Sequence, residues 1–214
     1  MKLVFYSGGN NEINEKLDLG LVKLIGKKDP RIGYIPSSSD LKRKYFDETK
    51  NYYAKYNISR FLYFDLDIEF DKNRLPELMS CDAIYLSGGN TFRFLHSIKT
   101  RRLVTFLRRY AKSRKVLVGV SAGSMIMTPS INTTVVFHSQ KGDLNKLNTV
   151  GLRNFSALNL VNFEFIPHFN GKEKGIFAKN YSKTRKDSVY ACNDGSGIIV
   201  DGEKTVFYGE AVKF

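Results

Sequence analysis

The sequence predicts an α/β fold, a doubly wound, mostly parallel sheet with helices on both faces, and three observations carry that expectation. Over the first 120 residues, short β-rich apolar runs alternate with longer segments of helical period. Strand candidates run directly into small-residue turns that open helices, as at Ser87-Gly88-Gly89-Asn90 and Ser121-Ala122-Gly123-Ser124. No Pro-, Gly- or Ser-rich stretch divides the 214 residues, so residues 1–214 are expected to form one domain.

The first strand is expected at Leu3–Tyr6, an apolar run stopped by Ser7-Gly8-Gly9, with a helix near Asn14–Ile25. Further strands follow at Ile32–Pro36, Phe61–Phe64, Ala83–Leu86 and Val116–Val120. The helices between them are placed near Asp40–Tyr56, Leu75–Met79 and Thr91–Tyr110. In the last, Phe94, Ile98, Leu103 and Leu107 recur at roughly helical spacing while the arginines fall mainly elsewhere. Beyond residue 130 the pattern reads as more strands, at Ile131–Phe137, Phe163–Pro167, Val189–Ala191, Ile198–Val200 and Thr205–Tyr208, with a helix between Lys172 and Lys183. Asp201-Gly202 is a two-residue hairpin signal, and these strands are expected to extend the same sheet.

Composition narrows the function classes. A hydrophobic content of 42%, with 16 Phe and 12 Tyr, is that of a chain with a core, not a disordered one. The N-terminal apolar run is too short for a secretion leader, no later run reaches a membrane span, and Cys81 and Cys192 are too few and too far apart for a disulfide framework or a metal knuckle. A cytoplasmic protein without metal is therefore expected. The 34 Lys plus Arg against 21 Asp plus Glu give a net charge of +13, but the basic residues are scattered and no zinc-finger, RNP or KH signature accompanies them. Solvated helix faces are the simpler reading, and neither a specific nucleic-acid partner nor a membrane is expected.

The chemistry starts at Gly119-Val120-Ser121-Ala122-Gly123, a G-x-S-x-G sequence at a strand-to-helix turn, where a nucleophile elbow needs it. A serine there needs a base, and the chain has three histidines. His96 lies within a helical segment and His138 in an expected loop. His168 follows the run Phe163–Pro167 at a strand end, from which it can reach an elbow serine as general base. A carboxylate should orient the imidazole. Asp194, in Asn193-Asp194-Gly195-Ser196-Gly197, lies between two β runs, although Asp-Gly is also ordinary turn chemistry; Glu164 and Asp143 stand next. The order Ser, His, Asp differs from that of α/β-hydrolases. The turn Ser87-Gly88-Gly89-Asn90 opens a helix at the same sheet edge, and the backbone N–H groups of Gly89 and Ala122 are the candidate oxyanion donors, with Asn90 the candidate substrate-binding residue. G-x-G-x-x-G and G-x-x-x-x-G-K-[ST] are both missing, so no nucleotide cofactor is expected. Ser7-Gly8-Gly9-Asn10 resembles the second glycine turn and reads only as a first βα turn.

Ser87-Gly88-Gly89-Asn90-Thr91-Phe92, Gly119-Val120-Ser121-Ala122-Gly123 and Ile166-Pro167-His168-Phe169 occur in the order and approximate spacing of the serine peptidases related to peptidase E, the aspartyl dipeptidase group that includes cyanophycinase. The resemblance spans nearly the whole chain, including Tyr34-Ile35-Pro36-Ser37-Ser38. It implies a class I glutamine amidotransferase-like fold with serine in place of cysteine, Ser121 as nucleophile, His168 as base, Gly89 and Ala122 as oxyanion donors, and Asp194 where relatives often carry Glu. The stretch from Phe169 to Asn193 is shorter than its counterpart in the aspartyl dipeptidases, whose substrate-pairing arginine finds no match here. Lys172, Lys174, Lys179 and Arg185 could supply positive charge instead, and specificity for N-terminal Asp does not carry over.

The expected activity is hydrolysis of short peptides through a Ser-His-Asp triad and an acyl-enzyme. The alternatives are a cyanophycinase-like hydrolase of an aspartate-containing polymer, or a noncatalytic module that holds a polyanion with its positive charge. The oligomeric state, monomer or homodimer, is left open by the sequence.

Overall fold

The computed structural model describes residues 1–214. Five strands form a parallel array: β1 (Lys2–Tyr6), β2 (Arg31–Ile35), β3 (Arg60–Tyr63), β4 (Ala83–Leu86) and β5 (Val116–Val120). Two antiparallel strands, β8 (Gly197–Asp201) and β9 (Lys204–Tyr208), complete a seven-stranded sheet of order β3-β2-β4-β5-β1-β8-β9. Because β1 lies between β5 and β8, both of its edges are paired, and its residues 3 to 6 are fully covered.

Alternation along the strands divides the core between the two faces. Leu3 and Phe5 point toward α3 (Leu75–Ser80), α4 (Thr91–Thr100), α5 (Val104–Lys112) and α6 (Ala122–Met127). Val4 and Tyr6 point toward α1 (Glu15–Ile25) and α2 (Lys44–Ala54), with Leu17, Leu21, Leu24 and Tyr53 packed against them. The doubly wound arrangement thus follows from apolar residues on both sides of the same strands.

Three expectations are corrected. The segment Ile131–Phe137, rich in Thr and Val, is helical and belongs to α7 (Asn132–Lys141), which precedes the short α8 (Leu144–Leu147). The chain leaves and returns through bonds such as Leu158 N–H to Ile126 O, 2.9 Å, and Leu160 N–H to Met127 O, 3.0 Å, and the segment between them meets the second sheet through a side chain, Thr133 Oγ1 donating to Phe165 O at 3.4 Å, so tertiary context overrides the strand propensity of its residues. Only part of the C-terminal third joins the main sheet. β6 (Phe163–Ile166), β7 (Ser188–Cys192) and β10 (Ala211–Lys213) form a separate sheet of order β10-β7-β6, with α9 (Gly171–Ser182) packed on it. The expected helix from Thr91 to Tyr110 is two helices, broken where Arg102 turns to φ 57° and Arg101 bends away to donate to the carbonyls of Leu66 (3.0 Å) and Asp67 (2.7 Å).

One buried carboxylate binds α1 to α2 and β1. Asp18 accepts hydrogen bonds from Tyr6 (2.8 Å), Tyr52 (2.5 Å) and Tyr56 (3.0 Å) and is fully buried. Burial raises its pKa above the ordinary carboxylate value, and the phenol donors only partly oppose this. A carboxyl with a raised folded pKa binds more protons folded than unfolded, so it withdraws stability as pH climbs from the unfolded value of about 3.9 through the folded one. Asp18→Asn is therefore expected to flatten the fall in unfolding free energy over that window. Asp18→Ala, which strands three phenols, should cost about 3 kcal/mol in urea denaturation at neutral pH.

Candidate active site

Three strand ends converge at the carboxyl edge of the parallel array. β5 leads into Ser121, whose backbone takes φ 49° and ψ −104° before α6 begins, a conformation that strains any residue with a side chain. Its flanking glycines are required by packing. A Cβ on Gly119 would lie 2.5 Å from the backbone carbon of Gly123, and one on Gly123 would lie 2.8 Å from the carbonyl carbon of Leu86 at the end of β4. Strand and helix pass so closely that neither position has room for a side chain.

His168 sits two residues beyond β6 and is itself left-handed, with φ 53°. Its Nε2 lies 2.9 Å from Ser121 Oγ and its Nδ1 lies 2.7 Å from Asp194 Oδ1. With the Nδ1 proton directed at the carboxylate, Nε2 keeps its lone pair for the serine hydroxyl. Asp194 stands in the turn between β7 and β8, and a Cβ on the neighbouring Gly8 would come within 2.7 Å of its Oδ1. The structure therefore brings Ser121, His168 and Asp194 into one hydrogen-bonded line. The other acids are engaged elsewhere: Glu164 is buried with Tyr181 and Arg185, each at 2.5 Å, and Asp143 pairs with His138 at 2.9 Å. His96 faces Thr100 on α4, 3.4 Å away.

Gly89 (φ 131°) occupies the turn after β4, where the Ser37 side chain fills the space a Cβ would need. Ala122 opens α6, so its N–H has no carbonyl within the helix to bond. Asn90 is held as the N-cap of α4: its Oδ1 accepts from Arg93 N–H at 2.9 Å and its amide donates to Leu147 O at 2.8 Å.

Two cavities meet at Gly89, Ser121 and His168. The smaller, about 250 Å³, is walled by Thr133, Thr134, Phe137 and His138 of α7 and by Lys174 and Phe177 of α9. The larger, about 580 Å³, is lined by Tyr34, Ser37, Asp40, Glu48, Thr49 and Tyr85 among others, with no lysine or arginine in its wall. Of the four cations expected between Phe169 and Asn193, only Lys174 reaches a cavity wall, where its Nζ donates to the carbonyl of His168 at 2.5 Å. Burial depresses the Lys174 pKa, and the charge of Asp194 opposes that shift.

Two features escape a reading of the sequence. His138 belongs to a cavity wall because α7 is a helix, which its β-branched residues conceal. Ser7, at the exit of β1, touches the His168 backbone and the Asp194 turn. The repeat of Ser-Gly-Gly-Asn at 7–10 and 87–90 was the available signal.

The model of peptidase family S51 matches residues 3–207. An uncharacterized peptidase from Listeria monocytogenes is 30% identical over 61% of this chain and 62% of its own length. A Drosophila melanogaster protein designated "Probable alpha-aspartyl dipeptidase" is 29% identical over 64% of this chain and 58% of its own. The chain thus matches about six-tenths of the length of these curated relatives. In structure, a candidate peptidase E protein from Listeria monocytogenes superposes with a TM-score of 0.76 at 22% identity, covering 96% of each chain, so the two share this α/β fold with its mostly parallel sheet. No helix is long and apolar enough to cross a membrane.

Proposed function

The chain belongs to peptidase family S51, and from that premise we propose that it is a serine-type peptidase that hydrolyses short peptides through Ser121, His168 and Asp194 and a covalent acyl-enzyme. The hydrogen-bonded line from Asp194 through His168 to Ser121, at 2.7 and 2.9 Å, is the observation that carries the reading.

In the first step Ser121 Oγ attacks the peptide carbonyl carbon as its proton passes to His168 Nε2, and the carbonyl oxygen becomes an oxyanion facing the N–H groups of Gly89 and Ala122. Asp194 stabilises the imidazolium without taking its proton. Collapse of this intermediate breaks the C–N bond. His168 gives the proton to the leaving nitrogen, so the amine departs neutral and an ester to Ser121 remains. Water then repeats the sequence: its proton goes to Nε2, its oxygen to the acyl carbon, and His168 returns the proton to Ser121 as the carboxylic product leaves.

The two cavities meeting at Ser121, about 250 and 580 Å³, match the size of pockets that hold small ligands and support a substrate of two to a few residues. The two free, buried cysteines accord with a reducing, cytoplasmic setting. An unbiased library of dipeptides and tripeptides should therefore contain cleaved members, with casein left intact. A library untouched by wild-type protein, or efficient casein degradation, would sink this reading.

A further inference from the structure

Ser121 and His168 reach the site from different sheets, so something must fix their separation. The exit of β1 does this. Tyr6 O accepts the Ser121 N–H at 2.9 Å and also the Ser124 hydroxyl at 2.9 Å, which anchors the elbow. The next residue, Ser7, is fully buried, and its Oγ accepts the His168 N–H at 2.7 Å, donates to Cys192 O at 2.7 Å and lies 3.3 Å from Asp194 Oδ1. Cys192 O also accepts the Phe169 N–H at 2.9 Å, so one carbonyl ties the residue after the histidine to the strand that delivers Asp194.

We propose that Ser7 is a positioning residue, whose hydroxyl, bonded to the His168 backbone and to the β7 end two residues before Asp194, sets the imidazole against Ser121. The proposal rests on the roles given above to Ser121, His168 and Asp194. His168 holds a left-handed backbone that its own side chain disfavours, so its N–H needs an acceptor at one fixed point, and Ser7 Oγ supplies it. Gly8 serves the same arrangement by omission. A methyl there would stand 2.7 Å from Asp194 Oδ1 and 3.0 Å from its Cγ, and the mobile part is the half-exposed carboxylate, which must swing off Nδ1.

Two variants attack the arrangement from opposite sides. Ser7→Ala removes the acceptor, and Gly8→Ala displaces the acid while leaving Ser7 in place. In both, the maximal rate of Ser121 phosphonylation by a fluorophosphonate should fall tenfold or more, as displacements of about 1 Å do at reacting centres, with the concentration for half-maximal rate within about twofold of wild type. The low-field Nδ1–H proton resonance of His168, assigned by its loss in His168→Ala, should disappear or move in both, with circular dichroism unchanged. An unchanged rate, a slowed rate with the resonance retained, or an effect confined to the half-maximal concentration would each overturn the proposal. Should Ser7→Ala fail to fold, Ser7→Cys, nearly isosteric but a far weaker acceptor, carries the same expectations and is overturned by the same results. If wild type is not labelled at Ser121, or if His168→Ala labels as fast as wild type, the reading of the site fails instead. The His168 resonance in Ser7→Ala then still reports whether Ser7 orients the ring.

Discussion

Ser121→Ala is expected to lose all fluorophosphonate labelling and to lower turnover of any cleaved peptide by about 10⁵- to 10⁶-fold, with the fold intact. The size follows from the role proposed for Ser121, forming the covalent bond, and from its Oγ being the atom His168 Nε2 faces at 2.9 Å. His168→Ala should fall nearly as far, and the double variant no further, because a nucleophile without its base and a base without its nucleophile leave the same residue of binding and oxyanion stabilisation. Asp194→Asn should cost less, about 10⁴-fold, since it reverses the polarity of the bond to Nδ1 and favours the wrong tautomer. Asp194→Glu should keep part of the activity. Turnover measured on one cleaved dipeptide checks the series. A folded Asp194→Asn at wild-type rate would remove that residue from the triad, and additive losses in the double variant would show that Ser121 and His168 do not act together.

Gly123→Ala should be among the most damaging small substitutions in the chain. The added methyl meets the carbonyl group of Leu86, which is backbone in a strand paired on both sides and cannot retreat as a flexible side chain would. Relief requires α6 to move off β4 and β5, which breaks the packing of Met125, Ile126 and Met127 against the core. A loss of at least about 3 kcal/mol in denaturant unfolding is expected, together with loss of labelling at Ser121. Gly175→Ala, where a Cβ would find open space on α9, is the matched control and should leave unfolding unchanged or slightly stabilised. Equal stability of the two variants would show that the close approach is not rigid.

The parallel array was legible because its strands are short apolar runs covered on both faces, each followed by a helical period, so local pattern and tertiary placement agree from β1 to β5. The pattern misleads at α7, where Thr133, Thr134, Val135 and Val136 favour extended structure and only the path of the surrounding chain makes them helical. In the C-terminal third β6 to β9 were legible, but the short β10 was not, and neither was sheet membership, since nothing local distinguishes a strand that pairs with β1 from one that pairs with β6. In the site, Ser121, His168 and Asp194 stood out by residue type at strand ends. Ser7 did not, because its meaning lies in a bond to His168, 161 residues away. The positive charge also has a partly local explanation. Arg101 and Arg108 donate to carbonyls of Leu66, Asp67 and Leu158, and Arg185 meets buried Glu164, so several cations fasten the chain to itself.

The left-handed backbone at Ser121 and His168 also bears on how copies of this gene would age. Glycine relaxes both positions, so a lineage no longer selected for hydrolysis would find replacement there doubly easy, with nothing lost and strain relieved. Gly119 and Gly123 face the contrary pressure, because their bareness serves packing whether or not any bond is cut. Descendants that keep both glycines while Ser121 and His168 have drifted would therefore mark a protein retired from chemistry with its architecture still under selection. Descendants that lose the glycines first would mark one abandoned altogether.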